Sequence, residues 1–510
     1  MPSVVSLGLV GLLAVQGACS SLREGWELGQ FIKQERTIAL QGVLNNIGPN
    51  GSMSPAQGAV WSSPVRPRKT RIVSDPTHTC MQRLVDSRRL LQLDARCRPD
   101  SAHPNCEFLL GNKALQPVIE DYIYSQAIIQ TVSSPSGSLL PHGLDLGESK
   151  YLANGSRFNG NSGRTQQAGP PLRAAALIQY SNYLISEGKR DRVRKEIWPI
   201  ITNDLSYVGQ YWNLTGSDLW EEVSGYSFFT TQNQYRSLGE GAALAKSLEE
   251  PCAACHNGPG ILCFLQSYWN GKSYTANFIT GDHNHSGVDA STILGPIAAF
   301  DPWVPCDSPT LQPCHPRSLA DFKVFVDTFR NSSVYPINAG IPQNMGIALG
   351  RYPEDVYFNG NPWYLIVHGA AEFLYDVLIS WSKAGSITID ATSLPFFRDL
   401  YPPARVGRYA WYHPSFWIIQ LRVRSYADSF VAVAKKYTPA DGMLSEQFLK
   451  TEPFTPTSAA NLTLSFASFI SMTHRRDGHL PARWVPSGQD APAVSAQCTA
   501  GSVPGVYAAS

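Results

Sequence analysis

A chain of 510 residues can bury a large core, and 41 basic against 40 acidic residues leave a formal net charge of +1. That balance excludes the broad electrostatic footprint that nucleic acid or an anionic lipid surface requires. Only 16% of the residues are charged whereas 11% are aromatic, including 12 tryptophans, a composition that suits both sugar stacking and the filling of a large interior.

The chain opens on an apolar run, Val4 to Val15, followed by small residues around Gly17-Ala18-Cys19-Ser20. The run is too short to span a bilayer and reads as a secretory signal over residues 1–20. The remainder, 21–510, is then expected to be soluble and extracellular, with no membrane association. Sequons at Asn50, Asn154, Asn213, Asn284, Asn331 and Asn461 fit a glycosylated surface, with Asn213, Asn154 and Asn331 the candidates chosen.

Helical periodicity is clear from Leu172 onward. Leu172, Ala176, Tyr180 and Leu184 recur every fourth residue before Gly188, and Ile197, Ile201, Leu205, Val208 and Trp212 repeat at four, four, three and four. Further stripes run through Leu319 to Phe329, Trp363 to Trp381, Ile418 to Val433 and Leu462 to Thr473. Strand-like alternation is sparse. Long Gly-, Asn-, Ser- and Pro-rich loops separate the stripes, so the pattern predicts an all-α domain with a loop-built site.

Ten cysteines in a secreted chain imply disulfides. Cys252 and Cys255 form a C-x-x-C, which could also begin a zinc site, but no second pair stands at ligand spacing and His256 alone completes it poorly. His283 and His285 suggest a metal only weakly, in a polar loop that carries a sequon. No phosphate loop, nucleotide fingerprint, calcium loop or nucleophilic serine motif is evident, and neither a metal nor a cofactor is expected.

The chemistry points to carboxylates. Glu221 and Glu222 lie in Ser217-Asp218-Leu219-Trp220-Glu221-Glu222-Val223, and Glu446 follows in Gly442-Met443-Leu444-Ser445-Glu446-Gln447. A tryptophan beside a carboxylic acid excludes water and disfavours the charged form, as a proton donor to a sugar oxygen requires. A second carboxylate across the site can activate water on the opposite face of the ring. Solvated helix surface is the bland alternative for a Glu-Glu pair.

Six motifs together resemble the fungal glucoamylases, the starch-degrading glycosidases of glycoside hydrolase family fifteen. They are Leu44-Asn45-Asn46-Ile47-Gly48, Asn203-Asp204-Leu205-Ser206-Tyr207, Asp218-Leu219-Trp220-Glu221-Glu222, Gly350-Arg351-Tyr352-Pro353-Glu354-Asp355, Asn359-Gly360-Asn361-Pro362-Trp363 and Ser445-Glu446-Gln447. The resemblance covers Ala39 to Ile47 and nearly everything from Val118 to Ser510. It implies an (α/α)6 barrel forming one catalytic domain. It also implies exo-attack on α-1,4-glucans, slower α-1,6 cleavage, and release of β-glucose by inversion.

By this resemblance Glu221 is the general acid and Glu446 the general base, with carboxyls about 6.5–9.5 Å apart to admit a water. Glu222 would bind the neighbouring glucose, with Asp218 in the same loop, and Arg351, Asp355 and Trp363 would line subsites. Trp212, Trp220, Tyr352, Tyr357 and Arg164 join them as substrate-binding residues. The family pairing joins Cys252 to Cys255, Cys263 to Cys498 and Cys306 to Cys314. No starch-binding domain follows Trp484, so soluble dextrins and maltooligosaccharides are expected to serve better than starch granules, with the protein acting as a monomer. The alternatives are an impaired relative that binds glucan without turnover and, further off, a trehalase on the same scaffold.

Between Gly58 and Pro104 the resemblance collapses, where the family carries a segment like D-Y-Y-S-W-T-R-D. Here Leu90-Leu91-Gln92-Leu93-Asp94-Ala95-Arg96-Cys97 stands instead. The codons GAC TAC TAC AGT TGG ACG CGC GAT GCC encode that family segment plus alanine. Read from the third base, they give L-L-Q-L-D-A-R-C. Residues 58–107 therefore read as a frame-shifted or intron-retaining translation, which also accounts for Cys80, Cys97 and Cys106, with a genuinely divergent loop as the alternative. Outside that stretch, Ser162 stands where the family has a tryptophan, Gln167 and Ala168 replace an arginine and an aspartate, and Leu464 replaces an aromatic residue.

Overall fold

The computed structural model describes residues 4–46, 115–152, 155–280, 285–481, 483–484, 494, 498 and 501–509, with side chains from residue 25 onward. The suspected frame-shifted stretch and the sequons at Asn50, Asn154 and Asn284 lie outside these residues. Among them twelve helices dominate: α1 (Val4–Asn45), α2 (Gln116–Ile129), α3 (Gly169–Ser186), α4 (Trp198–Tyr211), α5 (Phe228–Leu248), α6 (Gly258–Gln266), α7 (Ser291–Ala298), α8 (Pro316–Arg330), α9 (Tyr364–Ala384), α10 (Leu394–Leu400), α11 (Pro414–Tyr437) and α12 (Thr463–Arg476). Shorter helical pieces connect some of them. The strands are short: β1 (Gly216–Ser217), β2 (Ser224–Ser227) and β3 (Asn277–Ile279) form one antiparallel sheet, β4 (Ser386–Ile389) pairs antiparallel with β5 (Gly407–Ala410), and β6 (Gln447–Phe448) with β7 (Pro456–Thr457).

Burial sorts the helices into two layers. In α3, α7, α9 and α12 nearly every residue is buried, which is the signature of a helix enclosed on all sides. Helices α8 and α11 bury one stripe and expose the other face. Inner neighbours follow one another as α3, α5, α7, α9 and α12, while α4 backs onto α3, α6 onto α5, α11 onto α9, and α1 onto α12. Each boundary has a local cause. Prolines sit in the first turns of α2, α3, α4, α6, α8, α10 and α11, where a missing N–H costs nothing. Helix α9 ends at Gly385, whose φ of 60° gives the left-handed residue that closes a helix C-terminus.

The seam between α9 and α12 is polar although it is fully buried. His368, Glu372 and Asp376 recur every fourth residue on α9 and meet Ser468, Ser471 and Arg475 on α12. The contacts are His368 Nδ1 to Ser468 Oγ at 2.8 Å, Ser471 Oγ donating to Glu372 at 2.5 Å, and Arg475 Nε to Asp376 at 2.7 Å. Such a ladder fixes register, because sliding one helix by a turn would leave charges buried without partners.

The C-terminal tail is strapped onto α4. Cys498 is bonded to Cys263 in α6, Ala508 exchanges two hydrogen bonds with the Asn203 side chain, and Tyr507 donates to Gln210 at 2.9 Å. The Cys263–Cys498 bond spans 235 residues, and closing a loop of that length restricts the unfolded chain by roughly 5 kcal/mol in the chain-entropy treatment. Cys252–Cys255 and Cys306–Cys314 are also bonded.

Truncating Arg475 to alanine removes the cation paired with Asp376, a carboxylate at 0% exposure, and a destabilisation of about 3–5 kcal/mol is expected. Chemical denaturation of Arg475→Ala beside the parent protein measures it, and a loss under 1 kcal/mol contradicts the ladder.

Candidate active site

The loop Asp218–Val223 joins β1 to β2 and is tightly organised. Asp218 Oδ1 accepts from the backbone N–H groups of Glu222 at 2.9 Å and Val223 at 3.2 Å, and the Asp218 N–H reaches Val223 O at 2.9 Å. The turn is tight enough that Glu221 sits at φ 64°, a left-handed conformation that costs a non-glycine residue roughly 1–2 kcal/mol. Gly163 packs beneath it, and any Cβ there would lie 2.1 Å from Ser217 Oγ and 3.1 Å from the Glu221 backbone.

The Glu221 side chain is 10% exposed and pairs with Lys150, whose ammonium lies 2.5 Å from Oε2 and is itself 1% exposed. Its Oε1 has no hydrogen-bond partner among the described residues. Burial raises the Glu221 carboxyl to about 7, against the opposing pull of Lys150. Lys150 carried no sequence signal beyond being one cation in a loop of small and polar residues.

Trp220 is fixed from behind. Its indole N–H donates to both oxygens of the buried Asp289, at 2.9 and 3.0 Å, and Asp289 is raised to about 7 by burial. Its ring lies 5.9 Å from that of Trp363, at 54°. Neither Asp289 nor this anchoring role was legible from the motifs.

Arg351 gathers the other groups. It donates to Asp355 through Nε at 2.9 Å and Nη2 at 2.7 Å, and Nη2 also reaches Glu222 Oε1 at 2.8 Å. Tyr352 donates its hydroxyl to the second oxygen of Glu222. The guanidinium lies 5.1–5.4 Å from the ring centroids of Trp220, Tyr352, Tyr357 and Trp363, within cation–π range of each. Trp363 Nε1 is buried without a hydrogen-bond partner among the described residues.

Glu446 is wholly buried at the start of β6. Its backbone is held on two sides, by Glu446 N donating to Ala459 O at 2.8 Å and by Tyr364 N donating to Glu446 O at 3.3 Å. Ser458 donates its hydroxyl to Oε2. Burial raises the carboxyl to about 7, opposed by the Ser458 hydrogen bond and by the positive charge of Arg351. Arg351 thus bonds the residue next to Glu221 and acts electrostatically on Glu446.

Two expected substrate-binding residues have their side chains engaged elsewhere. Trp212 is 4% exposed in the core cluster around α3 and α4, edge-on to Phe264 at 6.2 Å, so its ring fills the interior. Arg164 commits three donors to Glu148 and to the carbonyls of Gly160 and Phe158, which makes it a brace for the 148–164 loop. Ser162 Oγ makes no hydrogen bond among the described residues, and Leu464 is a core residue of α12. Of the sequon asparagines, Asn331 is exposed and Asn213 and Asn461 are half-buried. The described residues contain no cluster of His, Cys, Asp or Glu able to hold a metal.

Comparison with known proteins is concordant along the chain. The profile of glycosyl hydrolases family 15 matches residues 37–474. Glucoamylase P of Amorphotheca resinae is 48% identical over 99% of this chain and 79% of its own. The solved glucoamylase of Hormoconis resinae superposes with a TM-score of 0.86 at 50% identity, covering 94% of this chain and 78% of that one. The family 15 glucoamylase of Hypocrea jecorina gives the same score at 42% identity over 94% and 77%.

Glu221, Glu446 and Asp289 hold protons to about 7 when folded but ionise near their ordinary values, about 4, when unfolded. Their contribution to stability is therefore full below about pH 4 and is lost as the pH rises through about 7. Calorimetry is expected to give a higher Tm at pH 5 than at pH 8. A Tm that rises across this interval contradicts the assignment.

Proposed function

Because the chain belongs to glycosyl hydrolases family 15 and is a glucan-hydrolysing enzyme of the glucoamylase kind, we propose that Glu221 donates the proton and Glu446 activates the water. Its helices form the (α/α)6 barrel of that family. The carrying observation is that two carboxyls on separate loops are both desolvated and raised to about 7 around one buried arginine. A protonated Glu221 delivers its proton to the glycosidic oxygen as the bond to the anomeric carbon lengthens. An ionised Glu446, favoured by Arg351, removes a proton from water attacking the opposite face, so the product is β-glucose.

The remaining residues position the chain end. Glu222, held by Arg351 and Tyr352, offers a fixed acceptor to the hydroxyls of the neighbouring glucose, and the faces of Trp220, Tyr357 and Trp363 provide apolar walls. The substrates are starch-derived dextrins and maltooligosaccharides. We infer an extracellular monomer: the Val4–Val15 run reads as a leader, and no described helix is long and apolar enough to cross a membrane. The level of similarity favours turnover over a glucan-binding relative without activity.

Glu221→Gln and Glu446→Gln are each expected to lower kcat on maltotriose by about 10²–10⁴-fold. Proton NMR of early product from the parent protein is expected to show the β-anomer before mutarotation, and α-glucose as first product rules out inversion. Lys150→Met is a separate test. Removing the ammonium that favours ionised Glu221 raises that carboxyl further and moves the alkaline limb of kcat/KM to higher pH. An unmoved limb excludes Lys150 from control of the acid.

A further inference from the structure

The turn that carries Glu221 is shaped from within and placed from outside. The hydrogen bonds that Asp218 accepts set its curvature, but they run between residues of the turn itself. Its placement depends on three side chains that reach other segments: Trp220 to Asp289, Glu221 to Lys150, and Glu222 to Arg351 and Tyr352. Glu221 and Glu222 must also meet the sugar, so their contacts are shared with substrate. The Trp220 indole N–H is not shared. It is committed to a carboxylate at 4% exposure, and that bond can persist through turnover.

Asp289 is itself a fixed point. It stands two residues before α7, an inner helix that is buried along nearly its whole length. Its Oδ1 accepts from Ser291 N at 2.6 Å and its carbonyl accepts from Thr292 N at 3.1 Å, so the residue belongs to the rigid head of that helix. Such a turn needs one side-chain oxygen, which serine or asparagine supplies as well. The second oxygen, Oδ2, lies 2.9 Å from the Trp220 nitrogen, and an acceptor for the indole is what the carboxylate adds.

The neighbours of Asp289 grip the Arg351 loop. Ala290 N donates to Arg351 O at 2.7 Å, Ser286 N donates to Glu354 at 3.0 Å, and the His285 ring stacks on Tyr352 at 4.8 Å and 27°. Residues 285–290 therefore hold the Arg351 loop through Ala290, Ser286 and His285, and the Glu221 turn through Asp289. One short segment sets the gap between the two. Glu221 makes that gap matter, because its φ of 64° is a torsion that persists only where the surroundings over-determine it. A reacting group displaced by about 1 Å can lose on the order of 10²-fold in rate.

We propose that Asp289 is a positioning residue for proton transfer: by holding the Trp220 indole at the head of α7 it fixes Glu221 against the Arg351 loop. The proposal rests on the reading of Glu221 as the acid given above, and it adds a residue that acts on the reaction only through another side chain.

Asp289→Ser tests it, because a serine hydroxyl still serves Ser291 N–H but is too short to reach the indole. Well below the Tm, with folding verified by circular dichroism, kcat on maltotriose is expected to fall by about tenfold or more. Turnover of α-glucosyl fluoride is expected to stay within about threefold of the parent, since fluoride departs without a proton from the enzyme. Asp289→Asn, which offers an oxygen to both N–H groups without the charge, is expected to stay within about threefold on both substrates. Parent-like maltotriose turnover in Asp289→Ser overturns the proposal. So do parallel losses on both substrates, which report a loosened fold, and an Asp289→Asn variant as impaired as Asp289→Ser, which reports charge. Trp220→Phe breaks the same bond from the other side, is expected to show the same split between substrates, and replaces Asp289→Ser if that variant misfolds. Adding Asp289→Ser to Trp220→Phe is expected to cost nothing further, and an additive loss contradicts action through Trp220. Glu221→Gln run alongside separates the two readings: a parent-like rate there refutes the acid, whereas an impaired Glu221→Gln beside a parent-like Asp289→Ser refutes the positioning alone.

Discussion

A buried guanidinium organises this molecule's chemistry. Arg351 is 3% exposed, and a cation removed from water needs counter-charges at close range. Asp355 supplies one from the same loop and Glu222 supplies another from the β1–β2 turn, which ties two distant segments into one wall. Four aromatic rings fill the remaining space and keep water out. That same exclusion of water raises the nearby carboxyls, so the setting that confines Arg351 also suits Glu221 and Glu446 to the proton transfers proposed for them.

The scaffold reaches the Glu446 segment through backbone. The N-terminal end of α9 holds the Glu446 carbonyl, the start of α12 holds Leu444 through Leu462 N at 2.9 Å, and Ser465 donates to Ser445 O at 2.8 Å. The proposed base therefore stands where two inner helices meet, and the His368–Glu372–Asp376 ladder sets their register. A site on loops is made precise by helices that cannot slide.

Much of this was legible in sequence, for identifiable reasons. The stripes at Leu172 to Leu184 and Leu319 to Phe329 lie within α3 and α8, because apolar spacing reports burial directly. Helix α5 escaped the same reading. Its buried positions include Gln232, Asn233, Gln234, Arg236 and Glu240, which are matched by internal partners such as Arg236 Nε to Glu240 at 2.7 Å. Polar burial of that kind leaves no apolar rhythm. Motif resemblance located Glu222, Arg351, Tyr352 and Asp355, which form one bonded group. A motif gives position and not the direction in which a side chain turns, so it did not announce that Arg164 braces Glu148 or that Trp212 packs against Phe264. Lys150, Asp289 and Ser458 act through contacts between segments far apart in the chain, and no local pattern announces them.

The left-handed torsion at Glu221 has an evolutionary side. Glycine would relax that backbone, so this position works against the fold's own preference. It would also strand the buried Lys150 ammonium, and losing one partner of a buried pair costs about 3–5 kcal/mol, more than the torsion returns. The ion pair thus holds the strained residue in place whatever its chemistry, and libraries screened for thermal tolerance alone will keep Glu221 or replace it together with Lys150.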